Sequence, residues 1–335
     1  MDKPEVIAVV GPTASGKSGL AVRIALAVGG EVISGDSMQI YKGMDIGTAK
    51  ISEEEKQGVP HHLLDLRSPQ ESFSVAEYQT LARAAIAAIL DRGKIPIIVG
   101  GTGLYIDSAL YNYEYRSEEK TTSAVEEIAT EGASSDETSG RQSAGRQSGS
   151  LREVLQAEAM ERGPEAVWEK LMAVDPVSAT RLHVNDTKRV IRALEYAQTH
   201  GRPISQNKAA YEAPALLYAS TAWLGLNLAR EKLYERINER VEQMMAEGLL
   251  AEVERLREQG LRPDSQAGQA IGYKQLLQYL DGAYSLPEAV EAIKQESRRY
   301  AKRQLTWFRR NKSILWLDAE ELLGASFVGI GFADI

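Results

Sequence analysis

Eight consecutive residues carry the first chemistry in the chain: Gly11, Pro12, Thr13, Ala14, Ser15, Gly16, Lys17 and Ser18. They match the spacing G-x-x-x-x-G-K-[ST] in full. The glycines let the backbone turn so that its N–H groups converge on phosphate oxygens, and a helix N-terminus adds favourable partial charge. Lys17 supplies a whole positive charge, and the Ser18 hydroxyl can ligate Mg²⁺. Most such loops hold ATP. The pattern itself says polyphosphate and leaves open what the phosphates are attached to. A second group is Asp36, at the head of GDSMQIYKGMDIGTAK (Gly35–Lys50). A carboxylate there can hold Mg²⁺ through water, act as a general base, or cap the next helix. A third is the glycine turn GGTGLY, with Thr102 at its centre. It is either a ligand turn at a strand end or a tight turn with a capping threonine.

These groups need elements to hold them. EVIAVV (Glu5–Val10) is a short apolar run before a glycine turn, which predicts a buried strand. Gly16–Val28 predicts a helix. EVIS (Glu31–Ser34), HHLLDL (His61–Leu66) and KIPIIVGG (Lys94–Gly101) predict further strands, with a long helix over Ser74–Asp91. Strands alternating with helices indicate an α/β domain with a parallel sheet. Phosphate loop, Asp36 and Thr102 then all follow strands, at the carboxyl edge where α/β sheets bind ligands.

After Tyr115 the pattern breaks. Residues 117–150 are rich in Ser, Glu, Gly and Thr and contain the duplication GRQSAGRQSG. Such a composition cannot bury enough surface to offset chain entropy, so a disordered or poorly ordered segment is expected. Leu151–His200 is helical in character, with boundaries at Gly163-Pro164, Asp175-Pro176 and Asn185-Asp186. A strand returns at Ser220–Leu228. Helices follow over Arg230–Glu247, Leu249–Gln259, Gln269–Leu280 and Leu286–Asn311, and SILWLDA (Ser313–Ala319) predicts a last strand. The expected fold is a P-loop NTPase-like α/β core, a parallel sheet flanked by helices, with a helical insertion domain. The core would run over residues 1–112 and 216–335 and the insert over 113–215.

The chain has no cysteine, which removes disulfides and thiolate metal sites and points to a reducing, cytoplasmic setting. The four histidines have no metal spacing and are read as structural. No window reaches the ~20 apolar residues of a membrane span, and no signal peptide is expected. A net charge of −8 argues mildly against a polyanionic partner. Yet RRYAKRQLTWFRRNK (Arg298–Lys312) holds seven basic residues and no acid. The local sign governs contact.

Six stretches occur in one order: GPTASGKS, DSMQIYKGMDIGTAK, GGTGLYI, HVNDTKRVIRALE, QAIGYKQLL and KRQLTWFRR. In this the chain resembles the bacterial tRNA dimethylallyltransferases, also called tRNA isopentenyltransferases, over all but residues 117–150. The resemblance implies transfer of a dimethylallyl group from its diphosphate to the exocyclic amine of the adenine just 3′ of a tRNA anticodon, releasing pyrophosphate. The loop would then hold a prenyl diphosphate, with Mg²⁺ on Ser18 and Thr13 on the bridging oxygen. Asp36 resembles the general base and Thr102 a residue set against the target adenine. Arg230 resembles an arginine that clamps the diphosphate, a role that suits its planar fork. A stacked base must be extruded to be alkylated. Asp36, Ser37, Met38 and Gln39 would line the RNA end of the channel. Further RNA contacts would come from Arg152, from Lys188, Arg189, Val190, Ile191 and Arg192, and from Gln269, Ala270, Ile271, Gly272, Tyr273 and Lys274. Lys302, Arg303, Gln304, Leu305, Thr306, Trp307, Phe308 and Arg309 would complete the surface, with cations on phosphates and aromatic faces on bases. The partners implied are a tRNA anticodon stem-loop and dimethylallyl diphosphate, with the protein a monomer. The Ser/Gly-rich content of 117–150 departs from the family pattern.

Three other readings compete. An adenylate isopentenyltransferase would prenylate a free nucleotide and would need neither the insert nor the basic patch. A small-molecule kinase would need an acceptor site and an arginine-bearing lid. An RNA-binding protein with a vestigial loop would have no use for intact Lys17, Ser18 and Asp36.

Overall fold

A computed structural model describes residues 3–113, 151–206 and 215–324. The chain divides into two compact units, Met1–Ser117 with Ala215–Ile335, and Glu118–Pro214. The Ser/Gly-rich stretch read above as unstructured lies outside the described residues, apart from the unit boundaries that bracket it.

The first unit begins with β1 (Val6–Val10), α1 (Lys17–Val28), β2 (Glu31–Ser34), α2 (Glu53–Lys56) and β3 (His61–His62). It continues with α3 (Val75–Asp91), β4 (Pro96–Gly100) and α4 (Gly103–Leu110). The second unit holds α5 (Leu151–Arg162), α6 (Pro164–Val174), α7 (Pro176–Arg181) and α8 (Thr187–His200). The chain then returns to the first unit with β5 (Thr221–Asn227), α9 (Arg230–Ala246), α10 (Leu249–Glu258) and α11 (Tyr273–Leu280). It ends with α12 (Leu286–Phe308), β6 (Leu315–Asp318) and α13 (Ala319–Gly324).

The six strands form one parallel sheet in the order β3-β2-β4-β1-β5-β6. Every residue of β1 and β2 is buried, as a parallel sheet covered on both faces requires. The pleat sorts them: Val6, Ala8 and Val10 join one core with Ile33 and Ile98, while Ile7 and Val9 join the other with Val32 and Ile97. In the second unit Leu155, Val167, Leu171, Val190, Ile191 and Leu194 make a core of their own. Pro164 and Pro176 each open a helix there, where a missing N–H costs nothing. No described helix is long and apolar enough to cross a membrane.

Two elements depart from the expectation. HHLLDL is a strand only at His61 and His62, because Leu63 and Asp65 take left-handed φ of 63° and 55°, which end the extended run. The helix expected from Gln269 starts at Tyr273, behind Gly272 at φ 95°.

One charged group sits inside this frame. Glu31 opens β2, and its carboxylate meets His62 at 2.7 Å, Arg92 at 2.6 Å and Lys94 at 2.8 Å. Burial pushes its pKa up, but the hydrogen bonds from Lys94, His62 and Arg92 outweigh it and hold the carboxyl at about 2. A depressed carboxylate contributes stability that is present above its unfolded pKa and lost as pH falls through the folded value. Acid unfolding of the wild type should therefore steepen between the ordinary 4.5 and about 2. Glu31→Gln should cost about 2 kcal/mol at neutral pH, below the 3–5 of a fully buried pair because the cations are partly exposed. It should also flatten that acid limb. Denaturant melts at pH 7, 4 and 3 check this, and equal pH dependence in both proteins would contradict it.

Candidate active site between the phosphate loop and α9

β2, β4 and β1 are neighbours in the sheet, so the turns after them lie side by side at its carboxyl edge. The register closes at Ser34↔Val99 and Val10↔Gly100. The three stretches singled out by composition are thus brought together.

The phosphate loop is shaped by its own backbone. Gly11 (φ 148°) passes so close to β5 that a Cβ would lie 2.9 Å from the Leu226 carbonyl. Ala14 (φ 62°) and Gly16 (φ 88°) take left-handed turns, and Gly16 caps α1. The Pro12 carbonyl accepts from Lys17 Nζ at 2.7 Å and from Ser15 Oγ at 2.8 Å. Lys17 is therefore folded over the loop with its ammonium held in place.

Across from the loop stands Arg240, half-buried on α9 beside the buried Ile237 and Val241. It makes no hydrogen bond and no ion pair at contact distance among the described residues. Burial lowers its pKa, while the Asp36 carboxylate opposes that shift. Lys17 is affected in the same way. Burial, then the field of Arg240, brings it down to about 8 against the pull of Asp36. Two partly buried cations therefore share this end of the site, with Asp36 acting on both and Glu55 and Glu247 on Arg240. An anion placed between them would relieve their mutual repulsion.

Asp36 is the carboxylate. Its Oδ1 accepts the Met38 N–H at 2.8 Å, so it closes a turn and does not cap a helix. Its second oxygen makes no hydrogen bond among the described residues, and the residue lines the cavity. Thr102 stands behind it. Thr102 Oγ1 accepts the Ser37 N–H at 3.1 Å, and the residue does not itself line the cavity.

The cavity measures about 370 Å³. One wall is Thr13, Ala14, Asp36, Ser37, Met38 and the backbone of Gly47–Ala49. The other is Ile237, Arg240, Val241 and Met244 of α9, the turn over Gln266–Gly272, and Ile293, Ser297, Tyr300 and Arg303 of α12. Its charged lining residues are thus Asp36, Arg240 and Arg303, and more of its surface is apolar than polar. The Gly47–Ala49 wall is anchored from behind. Buried Glu252 accepts the N–H groups of Asp45, Ile46 and Gly47 at 3.0, 2.9 and 3.1 Å and the Tyr273 hydroxyl at 2.5 Å. Gln39 holds it from the front, donating to the carbonyls of Thr48 and Ala49 at 3.2 and 3.3 Å.

Several expected residues stand elsewhere. Arg230 is exposed at the start of α9, stacked 5.2 Å over Tyr234, and does not line the cavity. Arg240, almost three helical turns on, lines it instead. A cation at i+3 from the buried Ile237 was the available signal. Tyr273, Gln304 and Phe308 are buried in the first unit, and Val190 and Ile191 in the second, so these five present no outer surface to RNA; Ala270 and Gly272 are buried but line the cavity. Leu305 is half-buried against the core, and Ile271 lines the cavity. Trp307 donates to Asp107 at 2.9 Å, and Arg310 lies 4.0 Å over its ring. One face of that ring is therefore covered by Arg310. Lys188, Arg189, Arg192, Gln269, Lys274, Lys302, Arg303, Thr306 and Arg309 are exposed. Arg152 is held by Glu195 through two hydrogen bonds of 2.9 and 2.7 Å.

The family model described as IPP transferase matches residues 39–311. The chain belongs to this family. A tRNA dimethylallyltransferase of Geobacillus thermodenitrificans (strain NG80-2) is 51% identical over 314 residues, covering 94% of this chain and 90% of the relative. One of Bacillus subtilis (strain 168) is 48% identical over 316 residues, covering 94% and 91%. The solved tRNA isopentenylpyrophosphate transferase of Bacillus halodurans superposes with a TM-score of 0.62 at 42% identity, covering 95% of this chain and 90% of its own. A eukaryotic dimethylallyltransferase solved acting on tRNA gives 0.74 at 30% identity, covering 95% and 75%. As in other IPP transferases, a parallel sheet flanked by helices carries the phosphate loop.

A pH dependence follows from the charge pattern. An anion binds best to charged Lys17, whose pKa in the free protein is about 8. The proton is bound below that value and lost above it. Affinity for pyrophosphate should therefore fall as pH rises through 8, by roughly tenfold per unit beyond it. Titration calorimetry from pH 7 to 9 checks this. Lys17→Gln should remove the slope, which separates the lysine from titration of the ligand. A slope unchanged in that variant would refute the assignment.

Proposed function

We propose that the protein transfers a dimethylallyl group from dimethylallyl diphosphate to the exocyclic amine of the adenine 3′-adjacent to a tRNA anticodon, releasing pyrophosphate. The observation that carries the reading is that Asp36 and Arg240 line one cavity with Thr13 and Ala14 of the phosphate loop, whose Lys17 lies in the field of both. The names of relatives about half identical over nearly the whole chain support the same reaction.

The chemistry divides between the two ends. Loop N–H groups, Lys17 and Arg240 hold the diphosphate and stabilise the charge that grows on it as the carbon–oxygen bond breaks. Thr13, in the loop and on the cavity wall, would donate its hydroxyl to the bridging oxygen. The adenine amine attacks the first prenyl carbon, and the free oxygen of Asp36 takes the proton that the new C–N bond expels. Thr102 holds the Asp36–Ser37 turn in place. The apolar walls exclude water, which would otherwise capture the prenyl group as an alcohol.

Mg²⁺ fits the donor set. Ser18 offers one hydroxyl oxygen beside the loop, and no metal-holding cluster of three or more His, Cys, Asp or Glu occurs among the described residues. Mg²⁺ favours one or two protein oxygens with phosphates and waters completing its shell. Bound there, it would neutralise charge on the diphosphate oxygens. Exposed cations on α12, Lys302, Arg303 and Arg309, suit an RNA backbone. The reading takes the protein as a monomer, since one chain supplies every group used.

The test supplies Mg²⁺, labelled dimethylallyl diphosphate and an unmodified anticodon stem-loop, with AMP replacing the RNA in a parallel reaction. Label in RNA alone supports the reading. Label in AMP alone assigns the protein to free-nucleotide prenylation. No label in either, with ATP turned over, refutes the donor.

A further inference from the structure

Gln304 belongs to the basic run of α12, yet its side chain turns inward and is only 4% exposed. Its Oε1 accepts the Thr13 N–H at 2.8 Å, and its Nε2 donates to the Gly101 carbonyl at 3.0 Å. Thr13 lies in the phosphate loop after β1, and Gly101 in the turn after β4. The ladder between those strands ends at Val10↔Gly100. Beyond it, one amide spans the gap.

The link runs further. Thr102, next to Gly101, donates its N–H to the Gly35 carbonyl at 3.3 Å and accepts the Ser37 N–H at 3.1 Å. The turn after β4 is thereby laced to the turn that carries Asp36. The connected series is phosphate loop, Gln304, Gly101 and Thr102, Ser37, Asp36. A Cβ on Gly101 would collide with the Gln304 amide, so the close approach itself calls for glycine there. The bridge also needs an acceptor on one side and a donor on the other, at the end of a long side chain. Glutamine has both, and an ionised glutamate has only the first.

We infer that Gln304 is a positioning residue that fixes the phosphate loop relative to Asp36. It thereby sets the line between leaving oxygen, transferred carbon and acceptor amine. The inference rests on the proposed prenyl transfer. It separates Gln304 from its exposed neighbours Lys302 and Arg303, which retain the RNA-facing role.

The experiment is steady-state and single-turnover kinetics on the full chain, with binding of pyrophosphate and of stem-loop RNA measured separately. Gln304→Met keeps length and volume and removes both bonds. It should lower kcat by about 100-fold, the scale of a small misplacement of reacting groups. Both dissociation constants should stay within about threefold of wild type, as expected when only the transition state is affected. Gln304→Glu keeps the acceptor for Thr13 and should fall between the two. Gly101→Ala displaces the amide without deleting it and should resemble Gln304→Met. A raised RNA dissociation constant with unchanged kcat would make Gln304 an RNA contact and overturn the inference. So would a wild-type kcat at temperatures where circular dichroism shows the variants folded. Failure of all three to fold would make it a folding residue, also overturning the inference. An inactive wild type would instead refute the proposed function.

Discussion

Replacing Asp36 with Asn is expected to lower kcat by about 10²- to 10⁴-fold, the usual contribution of a positioned general base. Asparagine keeps an oxygen for the Met38 N–H, so the turn at 36–38 should survive. What it loses is the free carboxylate oxygen that faces the cavity. Binding of the stem-loop should change little, because the exposed cations of α12 are elsewhere. A second effect separates base from scaffold. The Asp36 charge pulls the Lys17 pKa upward, against burial and Arg240. Removing it should move the pH dependence of pyrophosphate binding to lower pH. Kinetics with binding curves at several pH values check both parts. A kcat near wild type would eliminate Asp36 as the base.

Arg240→Leu is expected to weaken pyrophosphate binding by about 10- to 100-fold, corresponding to the 1.5–3 kcal/mol of hydrogen bonds to a charged group. It should also stabilise the ligand-free protein. Arg240 is a half-buried cation with no contact-distance partner among the described residues, set in a field that includes Lys17. Exchanging it for an apolar side chain relieves that desolvation and lets the Lys17 pKa rise. A Tm increase of roughly 2–4 °C is expected for each kcal/mol gained in a chain of this size. The arginine is therefore a case of function held against stability. Arg240→Lys keeps the charge but lacks the planar fork, and should recover only part of the affinity. By contrast, Arg230→Leu should leave pyrophosphate binding unchanged, because that side chain rests on Tyr234. Calorimetry and thermal melts on the three variants decide the matter. Loss of affinity in Arg230→Leu, with none in Arg240→Leu, would reverse the assignment.

The phosphate loop, Asp36 and Thr102 were legible as residues because their chemistry is local. A spacing of glycines, a lysine and a hydroxyl says what the turn does wherever it sits. Strand ends were legible too, since fully buried parallel strands are short apolar runs. β3 was overestimated because the backbone at Leu63 and Asp65 turns left-handed, which aspartate tolerates but leucine does not announce. Arg240 was missed because its meaning is not local. The three arginines of α9, Arg230, Arg236 and Arg240, look alike in sequence, and only the packing of α9 shows which one lines the cavity. Gln304 was misassigned for the opposite reason. Its neighbours Lys302 and Arg303 are exposed, but one helical position rotates a side chain by about 100°, enough to turn it from solvent to core. Val190 and Ile191 sit beside Lys188 and Arg189 in the same way, buried between exposed cations. A contiguous motif on a helix mixes two faces, so a whole run cannot share one role.

The decisive measurement is a crystal structure of the protein with a non-cleavable sulfur-linked analogue of dimethylallyl diphosphate. The expected result has both phosphates between the loop and Arg240, in contact with Lys17, and the first prenyl carbon turned toward Asp36. Phosphates seated away from Arg240, or a prenyl carbon facing away from Asp36, would contradict the reading of one cavity as both diphosphate clamp and transfer site.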